Sequence, residues 1–202
     1  MVKPSVTVVI PVHPMRIRNG LLRRATDSVW AQTCLPDALV VVVDCEGQGA
    51  ARTRQRGLDQ VTTEYVTFFD SDDKMKPQHL QRLLQVIEDA GASYVYSWFE
   101  PVGFGRDPLG HFGKPFDPHN PHHTTTVVMC ETAVAKEVGF TAPEPGAKTG
   151  NEDWLFTVGY CRLAVERGLK MVHLPERTWE YHLHTANTSG MPNRGDALSV
   201  PR

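Results

Sequence analysis

Short runs of apolar, mostly β-branched residues alternate with amphipathic stretches through the first hundred positions. Val6–Val12 (VTVVIPV), Ala38–Val43 (ALVVVV), 65–69 (YVTFF) and 94–98 (YVYSW) are such runs. A short run of this kind has no polar face to turn to water, so each predicts a strand covered on both sides. Between them, Leu22, Ala25, Thr26 and Val29 recur at helical spacing and predict an amphipathic helix over about 21–31. After Gly47 and Gly49 a basic, Ala-rich segment predicts a second helix over about 50–59. A third takes its buried face from Leu80, Leu83, Leu84 and Ile87, with Pro77 at its first position and Gly91 ending it. This alternation predicts right-handed crossovers and a parallel sheet. In open α/β sheets ligands bind beyond the carboxyl ends of the strands. His13, Asp44 and the acidic run Asp70-Ser71-Asp72-Asp73 all follow strand ends and should share one crevice.

The second half has a different pattern. Residues 103–123 are rich in Gly, Pro and His and predict an irregular excursion with at most a short hairpin. A strand over 125–130, a short helix over 131–138 stopped by Gly139 and a loop over 141–150 follow. The next helix is expected over about 151–167, with Trp154, Val158, Cys161 and Val165 on one face and Gly168 closing it. A last short strand is expected over 171–174, and residues 191–202 read as a mobile arm. No internal repeat is visible.

With 202 residues, of which 41% are hydrophobic, the chain suits one domain with a real core. The formal charge of −2 gives no global basic field, which argues against nucleic acid or an anionic membrane as the main partner. Arg52, Arg54 and Arg56 form a local basic group that suits an anionic acceptor or donor phosphates equally. Cys34, Cys45, Cys130 and Cys161 are widely spaced without a CxxC pair, which argues against a zinc site and a disulfide scaffold. The run ending at Val12 is too short and too β-branched for a signal peptide or a membrane span. A cytoplasmic location without a transmembrane segment is the expectation.

The DSDD run is the strongest local chemical signal. Carboxylates this close repel one another unless solvent or a cation screens them. Hard cations take oxygen ligands, and Mg²⁺ usually binds one or two carboxylates plus substrate phosphates. The run alone fits a metal clamping a diphosphate and a solvated acidic turn about equally. Glu152 and Asp153 open a helix, where acids often serve only as caps. Helix-end position would also lower a carboxyl pKa and keep Asp153 ionised.

Taken in order, these pieces resemble glycosyltransferase family 2 and its GT-A fold. VTVVIPVH, LLRRATDSVWAQT, VVVVD, GAARTRQRGL and EYVTFFDSDD correspond to successive motifs of that family's N-terminal half. NEDW is similar to its Glu-Asp motif, and YHLHTANTS to its C-terminal Tyr-Arg-x-His stretch. The resemblance implies an α/β fold of GT-A (Rossmann-like) type, a mostly parallel central sheet flanked by helices. It implies one domain over 1–190, with a nucleotide-sugar-binding half (1–100) and an acceptor and catalytic half (101–190).

The implied activity is metal-dependent, inverting transfer of a sugar from a nucleotide-sugar donor, UDP-linked by preference, to an acceptor hydroxyl. Val12 and His13 would line the nucleobase site, Asp44 would accept from the base, and Arg54 would lie near base or phosphates. Asp72 and Asp73 would hold ribose and metal (Mn²⁺ or Mg²⁺), with Asp70 in support. Asp153 would be the general base, with Glu152 beside it in the catalytic pair, and His184 a further metal ligand. The resemblance leaves the acceptor open among carbohydrate, protein, small molecule and modified nucleic acid. Cys45 in DCEG, Gln55 and His182 depart from the family pattern and bear on donor identity. Two other readings share the sheet and the acidic site: a sugar-nucleotide nucleotidyltransferase, which PVHPMRIRNG suits poorly, and a catalytically silent nucleotide-sugar-binding module.

Of the remaining features, the His119/His122/His123 group suits a solvated or substrate-contacting loop better than a metal site. Thr124–Thr126 could donate to acceptor or phosphates, and Trp98 reads as core. Asn187-Thr-Ser and Arg194-Gly-Asp carry no weight in a protein expected inside the cell.

Overall fold

The computed structural model describes residues 3–103, 110–141 and 151–182. Seven strands form one sheet in the order β2-β1-β3-β6-β5-β7-β4. The strands are β1 (Val6–Val12), β2 (Ala38–Val43), β3 (Tyr65–Phe68), β4 (Lys74–Met75), β5 (Ala92–Val102), β6 (Val128–Glu131) and β7 (Lys170–His182). The helices are α1 (Pro14–Arg18), α2 (Leu21–Trp30), α3 (Ala50–Asp59), α4 (His79–Ala90), α5 (Thr132–Val138) and α6 (Glu152–Arg167).

β1 pairs in parallel with β2 and β3, and β5 with β7. β6 lies antiparallel between β3 and β5, so those two still point the same way. Five strands therefore run in one direction, and only β6 and the two-residue β4 oppose them. This is the mixed, predominantly co-directional sheet of a GT-A domain. It sets the carboxyl ends of β1, β2, β3, β5 and β7 along one edge.

Burial explains why the apolar runs are continuous. Val6, Val8, Val9 and Ile10 are each 0% exposed, as are Tyr94, Val95, Tyr96 and Trp98. Trp98 is thus core, as its sequence setting implied. Gly57 of α3 is required by close approach: a Cβ there would meet Val9 Cγ1 at 2.4 Å. Only a bare helix surface lets α3 sit that close to β1.

Several boundaries differ from expectation for identifiable reasons. Pro77 precedes the N-cap Gln78 of α4 and does not sit inside the helix. Lys74 and Met75, just upstream, form β4 instead, which pairs with the end of β7. β7 starts one residue before and ends eight residues after its predicted range, because β5 offers it a long parallel edge. β6 begins at Val128, since Thr125 and Thr126 spend their hydroxyls on Val127 O and on Asp70. Residues 110–123 contain turns and no strand.

The predicted face of α6 holds for Cys161, which is buried, and for the half-buried Trp154, but not for Val158 and Val165. Phe156, Tyr160, Leu163 and Ala164 are buried together with Cys161, whereas Leu155, Val158 and Val165 are exposed. The helix is apolar on both sides, so periodicity alone could not choose between them. The aromatic cluster decides: Phe156 stacks on Phe140 at 4.5 Å and meets Phe68 of β3 at 5.7 Å. That packing also brings the first turn of α6 to the end of β3.

Candidate active site

The site is assembled at the shared carboxyl edge. Val12 is buried at the end of β1, and His13 follows as the exposed N-cap of α1, its Nδ1 accepting the Met15 N–H at 3.3 Å. On β2, Asp44 is 7% exposed and accepts the backbone N–H groups of Gln48 and Gly49, each at 2.8 Å. It folds the 45–49 loop back on itself, the job of an Asx-type turn.

β3 delivers the acidic run, and each acid meets a different partner. Asp70 Oδ1 pairs with Arg54 Nη2 at 2.7 Å, and Oδ2 accepts from Thr126 Oγ1 at 3.0 Å. Asp72 Oδ2 pairs with Arg16 Nη1 at 2.7 Å, and its carbonyl accepts from Arg24 Nη2. Asp73 lies behind them, 0% exposed, with Oδ1 accepting the His182 N–H at 2.9 Å. Burial, then the charges of Asp70 and Asp72, hold the Asp73 carboxyl well above the usual carboxylate range.

Arg54 joins the two halves of the chain. From α3 its guanidinium reaches Asp70 on one side and Glu152 Oε1 on the other, at 2.6 Å. Burial alone would loosen its proton, but Asp70, Glu152 and Asp153 outweigh that and hold it more firmly. Glu152 and Asp153 do not cap α6, whose N-cap is Asn151. Asp153 Oδ1 accepts the next N–H, that of Trp154, at 2.8 Å. Its pKa is raised, opposite to the direction expected from helix-end position. Burial pushes it up more than Arg54 and the Trp154 N–H pull it down.

Asp153 also borders a recess of about 10 Å³ lined by His123, Thr124, Thr125, Trp154 and Thr157. That is room for roughly one water oxygen. His123 stacks on Trp154 at 4.4 Å and walls one side. His122 stacks instead on His111, and the His119 N–H donates to Asp117 Oδ1, so the three histidines face different partners. The arginines also disperse: Arg54 is buried, Arg56 donates to Val43 O and Arg52 is exposed. They do not form one basic patch.

Five carboxylates (Asp70, Asp72, Asp73, Glu152, Asp153) thus meet three guanidinium groups (Arg16, Arg24, Arg54), an excess of two negative charges when all are ionised. Asp73 Oδ2 is buried without a hydrogen-bond partner among the described residues. No three metal-type ligands converge among those residues, and His184 lies outside them. The donor set suits a hard cation held by one or two carboxylates and completed by phosphates, not an all-protein cage. Arg16 was not expected from the sequence; a basic turn directly after a strand end was its only signal.

Known proteins fit this geometry. The model of "Glycosyl transferase family 2" matches residues 39–134, from β2 into α5. Over that stretch the chain is similar to glycosyltransferase family 2. The family match spans the acidic run, while Asp153 falls beyond it. Glycosyltransferase GlyA of Streptococcus pneumoniae serotype 4 is 26% identical over 131 residues, covering 51% of this chain and 18% of that protein. The succinoglycan biosynthesis protein ExoW of Rhizobium meliloti is 34% identical over 109 residues, covering 40% and 33%. The chain therefore spans a third or less of the length of these relatives. Among solved structures, S. aureus TarS in complex with UDP-GlcNAc aligns with a TM-score of 0.73 at 16% identity, over 91% of this chain and 60% of that one. TarS in complex with UDP aligns with a TM-score of 0.71 at 18% identity, over 89% and 60%. At that identity the likeness establishes the fold. No helix among the described residues is long and apolar enough to cross a membrane.

Proposed function

We propose that this chain transfers a sugar from a nucleotide-sugar donor, UDP-linked, to an acceptor hydroxyl with inversion at the sugar carbon. The carrying observation is the Arg54 bridge, which sets Glu152–Asp153 of α6 against Asp70 of β3 at the sheet edge where ligands bind. A family 2 relationship and the TarS likeness, with UDP and UDP-GlcNAc as that protein's ligands, support the donor class.

The residues divide the work. Val12, His13 and Asp44 border the nucleobase end, with Asp44 acting through the 45–49 loop that it holds. Asp72 is the carboxylate for a divalent cation, Mn²⁺ or Mg²⁺, with Asp73 behind it and His184 as a further ligand. Such a cation supplies Lewis-acid stabilisation of the charge that develops on the leaving diphosphate. Asp153 takes the acceptor proton: the acceptor oxygen bonds to the anomeric carbon as the bond to the diphosphate breaks, and the proton passes to Oδ2. Its raised pKa makes it a stronger base than an exposed aspartate. Glu152 and Arg54 position it and leave Asp153 as the acid that borders the one-water recess.

Asp153→Asn tests the reading. The variant should bind UDP-sugar as the wild type does, measured by calorimetry, and lose transfer by about a hundredfold or more. Transfer within a fewfold of wild type would remove Asp153 as base. Pyrophosphate release from a nucleoside triphosphate and sugar phosphate would indicate nucleotidyl transfer instead.

A further inference from the structure

Arg16 and the proposed cation draw on the same carboxylate. Its Nη1 lies 2.7 Å from Asp72 Oδ2, with the two side chains only 12% and 14% exposed. α1, which carries it, is five residues long and contains no buried residue. The helix is attached through the His13 cap and its packing on α2, so it can shift without opening the core. Only His13 separates it from the end of β1, which keeps Arg16 at the edge where the crevice lies.

We propose that Arg16 is a resident counter-ion: it neutralises Asp72 when no cation is bound and must leave before a divalent cation can bind there. The inference rests on the metal reading above. Without Arg16, Asp72 would face the like charges of Asp70 and Asp73 with one counter-charge fewer. When Arg16 is displaced without a new partner, free cation binds poorly. When a diphosphate arrives with the cation, the planar guanidinium has two phosphate groups to pair with. Arg16 thereby couples cation binding to donor binding.

The experiment is Mn²⁺ titration followed by the EPR signal of free Mn²⁺, with and without saturating UDP. Wild type, Arg16→Gln, Arg16→Lys and Asp72→Asn are compared, and far-UV circular dichroism checks folding. Without UDP, Arg16→Gln should bind Mn²⁺ at least about tenfold more tightly than wild type, since one opposing charge is gone. Arg16→Lys should stay near wild type, and Asp72→Asn should lose the gain. UDP should tighten Mn²⁺ binding by a larger factor in wild type than in Arg16→Gln. A Kd for Arg16→Gln within about twofold of wild type, or weaker, would overturn the counter-ion role while leaving the metal reading intact. Absence of Mn²⁺ binding in both proteins even with UDP would overturn the metal reading and this inference together.

Discussion

Replacing Arg54 with methionine removes the charge and keeps most of the side-chain volume. The guanidinium contacts Asp70 at 2.7 Å and Glu152 at 2.6 Å, and its side chain is 8% exposed. At an effective dielectric near 20, each unit pair about 4 Å apart is worth about 4 kcal/mol before desolvation. Taking the guanidinium out of water costs several kcal/mol, which methionine avoids. Asp70 keeps the Thr126 hydroxyl, but Asp70, Glu152 and Asp153 then face one another without their shared cation. The expected net loss is about 3–5 kcal/mol, the range for stripping one partner from buried ion pairs.

The sign of the pH dependence follows from the same groups. Arg54 pulls the Asp153 carboxyl down against burial, so without it the folded-state pKa of Asp153 rises further. The deficit is therefore full above the raised value and shrinks as pH falls through it. Urea unfolding followed by tryptophan fluorescence at about pH 7.5 and about pH 5 reads both effects. Arg54→Lys should fall between, because one ammonium cannot hold two carboxylates in the fork geometry. A loss below about 1 kcal/mol at the higher pH, or an equal loss at both, would show that Arg54 contributes packing and no charge compensation.

Two further predictions concern the frame that holds the site. Burial drives the His79 imidazole down to about 3 from an ordinary 6.5, while its Nδ1 bonds the Thr178 hydroxyl at 2.6 Å. Between those values the unfolded chain binds the proton and the folded one does not, so stability should decline as pH falls from about 6.5 towards 3. His79→Asn should flatten that part of the stability curve; an unchanged slope would show the imidazole is not its source. Gly57→Ala should destabilise by about 1–3 kcal/mol through the clash with Val9, read as a lowered Tm. An unchanged Tm would mean that α3 can withdraw from β1 at no cost.

The sequence by itself determined the parts that depend on local covalent pattern. Val6–Val12, Ala38–Val43 and the helix over Ala50–Asp59 are fully legible, because a buried strand must be apolar throughout and a covering helix must be amphipathic. The acidic run at the end of β3 and the Glu152–Asp153 pair were legible as candidates, since their residue types and positions stand in the chain itself. Tertiary structure alone decided which acid meets which partner. Asp70 and Glu152 are 82 positions apart, and only the packing of Phe156 on Phe140 and Phe68 brings them to one guanidinium. The exposure of Val158 and Val165 on α6 has the same origin: both sides are apolar, so the choice fell to long-range aromatic contacts. The direction of the Asp153 pKa shift was likewise beyond the sequence. Helix-end position is local and favours the charged form, whereas burial is set by the whole fold, and here burial is the larger effect.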